Sequence, residues 1–396
     1  MIRQLLFQVH MWIGLALGIL FVALGLSGSV LVYHDELEAM SAPAPKATTM
    51  GTPKPIEDII AAARDATPNA KGSTMVTLPE NAGDPATVRF LQAFREADAN
   101  ARGNRNRGGR AGGQRAGQPP SPIIFVDPVT AKVIGARATA MSPLVRFAHD
   151  LHGSLFFGRD GRPLVGWLGV GMLILGVSGL YLWWPKPHQW KYAFIVRRTA
   201  KGIRFHRELH AAAGIWGFIV FIIVSFTGVA TAFPDTIRAA AGGGAPAFNL
   251  RTGPEIEPMN TEHPVTPDEA IAYAQEAVPG TLARSVMIPM RETQAISVAL
   301  ARKGSDPTIL TLVYVNPYSG HVAAVRDPVT LSGPDTFMAW QRPLHDGEGL
   351  GPIWRFLVFL SGFLPLLFVI TGAAMWIKKR RAHLSMAAPL AEGATP

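Results

Sequence analysis

Cysteine is absent from all 396 residues of the sequence. Its absence excludes disulfides, iron–sulfur clusters, thiolate nucleophiles and covalently attached haem, so a bound metal would need His, carboxylate or Met ligands. Charge is also scarce, because Asp, Glu, Lys and Arg make up 16% of the chain, whereas soluble proteins have about 25%. Hydrophobic residues contribute 48%. This composition argues against an ordinary soluble enzyme and favours a membrane protein.

Four stretches contain no charged residue, at 11–33, 164–184, 211–233 and 356–377. Each is long enough for a transmembrane helix, which needs about 20 residues. The first stretch exceeds the roughly 7–15 apolar residues of a cleaved signal peptide, so we interpret it as a retained span. The sequence therefore predicts four transmembrane helices and a lipid bilayer as the environment of the chain.

The positive charges indicate how these spans are oriented. Lys and Arg cluster between the second and third spans and again in Lys378–Arg381, whereas Asp35, Glu36 and Glu38 follow the first span. Since Lys and Arg accumulate on the cytoplasmic side, both termini are predicted to be cytoplasmic, and for a bacterial protein the membrane would be the inner membrane. The long connections, about 35–148 and 234–344, would then be periplasmic. The net charge of +9 is largely explained by topology, and no nucleic-acid binding is expected.

The sequence also contains an internal repeat. A shift of 200 residues superposes His10 on His210, and a shift of 193 residues superposes His152 on His345. Every span contains a Ser/Thr-Gly dipeptide, and the same two shifts superpose these dipeptides. The first and third spans are therefore interpreted as copies, and so are the second and fourth. Helix, external domain and helix, taken twice in parallel orientation, imply a pseudo-two-fold axis along the membrane normal.

The two external segments repeat as well. The sequence at 125–133 matches that at 314–322, and each is a predicted strand, Pro-containing turn and strand. Upstream, 56–66 and 267–277 have helical periodicity, with Thr266 as a predicted N-cap. Each external unit is thus predicted to be a small α+β domain. The Arg/Gly-rich segment at about 95–120 interrupts the first and is predicted to be disordered.

These patterns predict an integral membrane protein with four transmembrane α-helices from an internal duplication and two periplasmic α+β domains. The predicted boundaries are 1–34 for the first span, 35–142 for the first periplasmic domain, 143–184 for an interfacial segment and the second span, 185–205 for a cytoplasmic loop, 206–233 for the third span, 234–340 for the second periplasmic domain, 341–377 for an interfacial segment and the fourth span, and 378–396 for a cytoplasmic tail.

The repeated histidines carry the chemical hypothesis. Imidazole near a bilayer is costly and usually functional, and two facing helices can present one His each to the two faces of a haem. Pseudo-symmetry predicts His10 opposite His210 on one haem and His152 opposite His345 on a second. A haem with both axial positions filled transfers electrons and does not bind oxygen.

Other interpretations of these residues stay open. His34, His149 and His206 lie at the same membrane edges and are alternative ligands, since His149 and His206 share a helix face with His152 and His210. An isolated interfacial histidine is often only a hydrogen-bonded polar residue. A transport metal site between helices is a further alternative. The stretch at 206–210 resembles an H-E-x-x-H protease helix only superficially, because Arg207 follows the first histidine.

The Ser/Thr-Gly dipeptides admit two interpretations. Small residues let helices approach closely, and they also leave room for a flat macrocycle. Close helix packing is the simpler explanation from the sequence alone. The dipeptides are Ser27-Gly28, Ser178-Gly179, Thr227-Gly228 and Thr371-Gly372.

Several motifs together resemble a known family. They are His10-x-Trp12-x-Gly14, Leu151-His152-x-x-Leu155, Gly161-Arg162-x-x-Val165-Gly166, Leu209-His210-x-x-x-Gly214-x-Trp216, and the Asp127-Pro128 and Asn316-Pro317 hairpins. In these the chain is similar, over nearly its whole length, to the PepSY-associated transmembrane helix family. The resemblance implies a four-helix unit that binds b-type haem through histidines, with PepSY-like domains in the periplasm. Several members of that family look like iron-regulated reductases that release iron from ferric siderophores, so the resemblance implies this activity for the chain.

The expected function is therefore transmembrane electron transfer to a ferric siderophore in the periplasm, with two haem b groups as cofactors. The chain has no G-x-G-x-x-G after a strand and no flavin-type domain, so quinol or a separate reductase is the expected donor. One alternative is a PepSY membrane protein without redox activity that binds a periplasmic partner or regulates a peptidase. The other is a transporter of haem, metal or siderophore.

Overall fold

The computed structural model describes residues 1–70, 72–91, 122–137, 141–244, 248, 252–302, 309–331 and 333–387. The Arg/Gly-rich segment predicted at about 95–120 lies outside the described residues, as does the end of the predicted cytoplasmic tail at 388–396. Contacts divide the chain into two compact units. The first, here the membrane unit, comprises 1–34, 145–236 and 340–396, and the second, here the sheet unit, comprises 35–144 and 237–339.

The helices and strands are numbered in chain order. They are α1 (Ile2–Val32), α2 (His34–Ser41), α3 (Ile56–Asp65), β1 (Ser73–Thr77), β2 (Ala86–Leu91), β3 (Ile123–Val126), β4 (Val133–Arg137), α4 (Pro143–Ser154), α5 (Gly161–Trp183), α6 (Trp190–Ala193), α7 (Gly202–Ala232), α8 (Pro234–Ala240), α9 (Pro267–Ala277), β5 (Thr281–Ile288), β6 (Ile296–Arg302), β7 (Leu310–Val315), β8 (Val322–Arg326), α10 (Gly333–Asp346), α11 (Gly351–Ser361) and α12 (Leu364–Ala387).

Within the described ranges, four helical segments are long and apolar enough to cross a membrane, namely Ile2–Val32, Gly158–Trp183, Gly202–Ala232 and Gly351–Leu384. The prediction of a multi-pass membrane protein is therefore confirmed. The first and third spans, α1 and α7, begin nine residues before the predicted apolar stretches at 11–33 and 211–233. Polar residues such as Arg3 and Gln4 belong to these extensions, because a helix can continue from the hydrocarbon core into the headgroup region.

Helices α1 and α7 each pack against both α5 and α12. This arrangement closes a four-helix bundle in which α1 and α7 face each other across the interior. Residues on the inward faces of α1 and α7 can therefore meet between the other two helices.

The fourth span is interrupted between α11 and α12 at Gly362 and Phe363. Pro365 lacks an N–H, so the helical hydrogen bond to the carbonyl of Ser361 cannot form. At the break, the hydroxyl of Ser29 on α1 donates to the carbonyl of Phe359 at 2.7 Å. Gly362 lies so close to Gly25 that a Cβ at either position would meet the other residue's carbonyl oxygen.

The sheet unit contains one antiparallel sheet with strand order β4-β3-β2-β1-β5-β6-β7-β8. Strands β1 and β5 pair directly, with Val76 opposite Val286. The two predicted α+β units therefore share one sheet, because β1 and β5 would otherwise present unpaired edges. Helices α3 and α9 pack on one face of the sheet, and their Ile59 and Ala274 belong to the same core cluster as Val76 and Val286.

Two local predictions in this unit are confirmed. Thr266 is the N-cap of α9 and forms a capping box with Glu269. Both hairpin turns, β3–β4 and β7–β8, form around the expected polar residues. Asp127 Oδ1 accepts from the N–H of Val129 at 2.9 Å, and Asn316 Oδ1 accepts from the N–H of Tyr318 at 2.8 Å.

Candidate functional site

One histidine pair lies between the two facing helices of the membrane unit. His10 is on α1 and His210 is on α7, each in the N-terminal third of its helix. Their ring centroids are 6.2 Å apart and the ring planes are inclined at 67°. The equivalent positions of the two residues on facing helices bring the two imidazoles together.

The second pair lies at the level of the C-terminal ends of α1 and α7. His152 is near the end of α4 and His345 is near the end of α10, the short helices that precede the second and fourth spans. Their ring centroids are 5.9 Å apart, with an interplanar angle of 42°.

The spacing in both pairs is that of two ligands on one metal. Two imidazoles that bind a metal from opposite sides, each through a nitrogen about 2 Å from it, have ring centroids about 6 Å apart. Within the described residues, no group of three or more His, Asp and Glu residues is arranged to bind a metal ion. The donor set is therefore two imidazoles per site, which suits the two axial positions of a haem.

Hydrogen bonds at Nδ1 assign the free nitrogen in the second pair. Nδ1 of His152 is 2.9 Å from the carbonyl oxygen of Leu24, and Nδ1 of His345 is 2.9 Å from that of Val224. A carbonyl oxygen can only accept, so Nδ1 must carry the proton in each ring. Nε2 of the neutral imidazole is then an available metal ligand.

Burial favours the neutral form of these two rings. Burial, followed by the neighbouring His345, lowers the pKa of His152 to about 4. Burial also lowers the pKa of His345 below its usual value. The lowered pKa of each ring favours its uncharged form, which is the protonation state that metal ligation requires.

A cavity adjoins the other pair. His10 and His210 line it together with Gly14 and Gly372, and its walls are mostly apolar side chains such as Phe368. A Cβ added to Gly14 or Gly372 would contact nothing within 4 Å, so these glycines border open space. An apolar slot beside two facing imidazoles fits a flat, largely apolar macrocycle.

The two pairs lie at opposite ends of the bundle. Seventeen residues separate His10 from Ser27 on α1, and the same number separates His210 from Thr227 on α7. Ser27 Oγ is 3.4 Å from Nδ1 of His152, and Thr227 Oγ1 is 3.2 Å from Nδ1 of His345. At about 1.5 Å per residue the two levels are about 25 Å apart along the helices, comparable with a hydrocarbon core of about 30 Å.

Comparison with known proteins agrees with this architecture. Residues 7–379 match the family described as PepSY-associated TM region. The chain belongs to this family. It is also 34% identical over 90 residues to Uncharacterized protein PA4219 of Pseudomonas aeruginosa. That match covers 22% of this chain and 21% of the relative, so the chain aligns with about a fifth of that protein's length.

The alternative histidines of this PepSY-associated protein differ from the two facing pairs in exposure or in hydrogen bonding. His149 is exposed, with Nδ1 3.5 Å from a carboxylate oxygen of Asp150. His34 places Nδ1 2.8 Å from the carbonyl of Leu31 in the same turn. Nδ1 of His206 is buried and has no hydrogen-bond partner among the described residues.

Glu208 contributes no free base to the stretch 206–210. Its carboxylate accepts from the main-chain N–H of Arg197 at 3.0 Å and from Nε of Arg204 at 2.9 Å. Arg197 also binds it through its guanidinium. The carboxylate is committed to two arginines, and a protease-like role has no structural support.

The sequence interpretation missed one set of site residues. Each Ser/Thr-Gly dipeptide contacts a histidine, whereas helix packing was the simpler expectation. A Cβ on Gly28 or Gly228 would lie 2.9 Å from Cε1 of His152 or His345, and one on Gly179 would lie 3.2 Å from Cε1 of His10. The recurrence of the dipeptide at fixed spacing from the histidines was the available signal.

Proposed function

We propose that this chain is a haem b-containing electron-transfer protein of the bacterial inner membrane that reduces ferric siderophores in the periplasm. The observation that carries the proposal is the presence of two facing histidine pairs at two levels of one bundle. Their ring spacings are 6.2 and 5.9 Å. One pair alone would suit a local redox centre, whereas two pairs near opposite ends of a bundle suit transfer across a bilayer.

Haem b, when bound, would supply reversible one-electron chemistry. His10 and His210 would hold one such group through their Nε2 atoms, and His152 and His345 would hold the other. With two histidines committed to the group at each level, neither site would offer an open position to oxygen. The mostly apolar walls of the cavity near His10 would disfavour water at this level, which would limit side reactions.

The electrons must balance between donor and acceptor. Each ferric ion takes one electron to become Fe(II), so one quinol, which releases two electrons and two protons, can serve two ferric siderophores. Fe(II) binds the hard oxygen donors of a siderophore more weakly than Fe(III), so reduction releases the metal. A separate reductase is the other class of donor, since this sequence has no nicotinamide or flavin motif.

The side of the membrane on which we expect the sheet unit follows from the number of membrane crossings and from the charges of the loops. Residues 35–144 and 237–339 form one unit, and each segment follows an odd-numbered span. Two further crossings return the chain to the same side of the membrane. The Lys and Arg residues between the second and third spans favour a cytoplasmic location for that loop. The sheet unit would therefore be periplasmic.

The test is the cofactor content of the purified full chain. We expect oxidised and dithionite-reduced spectra of a six-coordinate b-type haem and a pyridine haemochrome value of about two per chain. His10→Ala or His210→Ala should remove one haem and spare the other. His149→Ala is the matched control, because His149 lies three residues before His152 but is exposed. Loss of both haems or of neither in the pair variants would contradict separate sites.

The acceptor is tested on the same preparation. Dithionite-reduced protein, freed of excess reductant, should be reoxidised by a ferric siderophore with formation of Fe(II) captured by a ferrous chelator. Reoxidation without Fe(II) would reject siderophore reduction but retain electron transfer. Absence of haem from protein made with ample haem supply would reject the redox function and favour the partner-binding or transport alternatives.

A further inference from the structure

We propose that Ser178 and Thr371 are positioning residues for His10 and His210, and that main-chain carbonyls perform this task for His152 and His345. The inference rests on the proposed function, because it concerns the same histidine pairs. It adds that the two sites are built by different means, so that side-chain substitutions can disturb one site selectively.

The hydrogen bonds of Thr371 determine its role toward His210. Thr371 Oγ1 is 2.8 Å from Nδ1 of His210 and 2.7 Å from the carbonyl oxygen of Leu367, one turn earlier on α12. A hydroxyl has one hydrogen, and a carbonyl can only accept. The threonine hydrogen is therefore committed to Leu367, and the hydroxyl oxygen accepts from Nδ1–H of His210. Nε2 of His210 then has a free lone pair.

Ser178 repeats this arrangement on α5. Its Oγ is 2.9 Å from Nδ1 of His10 and 2.6 Å from the carbonyl oxygen of Ile174. The same reasoning makes the serine an acceptor and His10 the donor.

The other pair depends less on its hydroxyl groups. Nδ1 of His152 is closer to Leu24 O, at 2.9 Å, than to Ser27 Oγ, at 3.4 Å. Nδ1 of His345 is likewise closer to Val224 O, at 2.9 Å, than to Thr227 Oγ1, at 3.2 Å. Removing the hydroxyl group of Ser27 or Thr227 by substitution would leave the Nδ1–H of each ring with its main-chain acceptor.

The consequence is a difference in sensitivity. A ligating histidine that loses its outer hydrogen-bond partner can rotate. It can also exchange tautomers, and the second tautomer carries its proton on the ligating nitrogen. Loss of such a partner typically lowers metal affinity or activity by roughly 10- to 100-fold. Thr371→Ala should weaken the His10/His210 site to this extent, whereas Thr227→Ala should leave that site unchanged and disturb the His152/His345 site less.

The experiment compares Thr371→Ala, Thr371→Val and Thr371→Ser with Thr227→Ala in the full chain. Haem content and the midpoint potential of each centre are measured in detergent. We expect partial loss or a shifted potential of one centre in the Ala and Val variants, and wild-type behaviour in the Ser variant. Thr231→Ala is the neutral control, since the hydroxyl of Thr231 donates to the carbonyl of Gly228 on its own helix. Equal effects of Thr371→Ala and Thr227→Ala would overturn the proposal.

A second measurement separates this proposal from the proposed function. Cofactor-free protein labelled with ¹⁵N-histidine reports the tautomer of each ring, and His210→Ala identifies the His210 signal. We expect the Nδ1-protonated tautomer for His210 in the wild type and a mixture in Thr371→Val. If the protein binds no haem but this difference is present, the positioning role stands and the redox function fails. An unchanged tautomer in Thr371→Val refutes the positioning role.

Discussion

Gly28 on α1 and Gly228 on α7 border the space that the rings of His152 and His345 occupy. A Cβ at either glycine would lie 2.9 Å from Cε1 of the ring, closer than side-chain carbons pack. The imidazole would have to move, and both rings are held by main-chain carbonyls that cannot follow. These glycines therefore help to set the position of a ligand without touching a metal.

We predict that Gly28→Ala displaces His152 and reduces occupancy of the His152/His345 site, while the His10/His210 site keeps its haem. Haem stoichiometry and the number of components in a redox titration measure the effect. Gly153→Ala is the matched control, because Gly153 adjoins His152 on α4 but an added Cβ would meet nothing within 4 Å. Full retention of both components in Gly28→Ala would show that the ring tolerates the methyl group.

The turn elements of the sheet unit use a charged residue in one hairpin and a neutral one in the other. Asp127 accepts from the N–H groups of Val129 and Thr130, and Asn316 accepts from those of Tyr318 and Ser319. Burial alone would raise the pKa of Asp127, but hydrogen bonds led by that from Thr130 outweigh it and hold the pKa below its usual value.

This lowered pKa predicts a pH-dependent turn. The unfolded carboxylate, with a pKa of about 3.9, takes up its proton before the folded one as pH falls. The stabilisation is therefore complete above about pH 4 and is lost as pH falls through the folded pKa. Asp127→Asn should keep both hydrogen bonds and remove this dependence. Asp127→Ala should destabilise the hairpin by about 1 to 3 kcal/mol, because two N–H groups lose their acceptor.

Hydrogen exchange of β3 and β4 in the full chain measures this effect. Comparing variant and wild type at the same pH cancels the intrinsic pH dependence of exchange. The hairpin of β7 and β8 is an internal reference, since its turn residue Asn316 does not titrate. Equal loss of protection in both hairpins on acidification would contradict a specific role for Asp127.

At the element scale, the sequence predicted which segments cross the membrane but not where the helices end. Uninterrupted apolar runs mark the hydrocarbon core, whereas Arg3 and Gln8 lie inside α1 and outside the predicted stretch. The break at Gly362 was not predicted, because its contact with Gly25 depends on how α1 packs. The pairing of β1 with β5 was also missed, since alternation defines the faces of a strand and not its partner.

The candidate site was predictable to a similar degree. The internal repeat indicated that His10 would face His210 and that His152 would face His345, and the structure places these rings together. Haem ligation stays a prediction. The acceptor roles of Ser178 and Thr371 could not be read from the sequence, because they depend on helix rotation, and a Ser/Thr-Gly dipeptide fits close packing equally well.

For the whole molecule, the histidine contacts connect every span of the bundle. Ser178 on α5 bonds His10 on α1, and Thr371 on α12 bonds His210 on α7. At the other level, Leu24 on α1 bonds His152, and Val224 on α7 bonds His345. A ligand held by either pair would thus join helices from both halves of the chain, so its binding should stabilise the bundle as a unit.

The proposed direction of electron transfer requires the sheet unit to lie on the side where ferric siderophores arrive. Because the sequence has no cysteine, a single introduced cysteine gives an unambiguous label. We predict that Met290→Cys and Val329→Cys, both exposed in the sheet unit, react with a membrane-impermeant maleimide in spheroplasts. Tyr192→Cys and Leu384→Cys, exposed in the membrane unit, should react only after lysis.

Opposite labelling would place the sheet unit in the cytoplasm. His152 and His345 follow the segments of the sheet unit in the chain, so this pair would then be at the cytoplasmic end. Electrons would have to pass from the His152/His345 pair to the His10/His210 pair to reach a periplasmic siderophore. Labelling of Met290→Cys without Val329→Cys has a different meaning, because it would indicate that Val329 is covered by a partner or by lipid. An inverted topology would give a different pattern, in which both Met290→Cys and Val329→Cys react only after lysis.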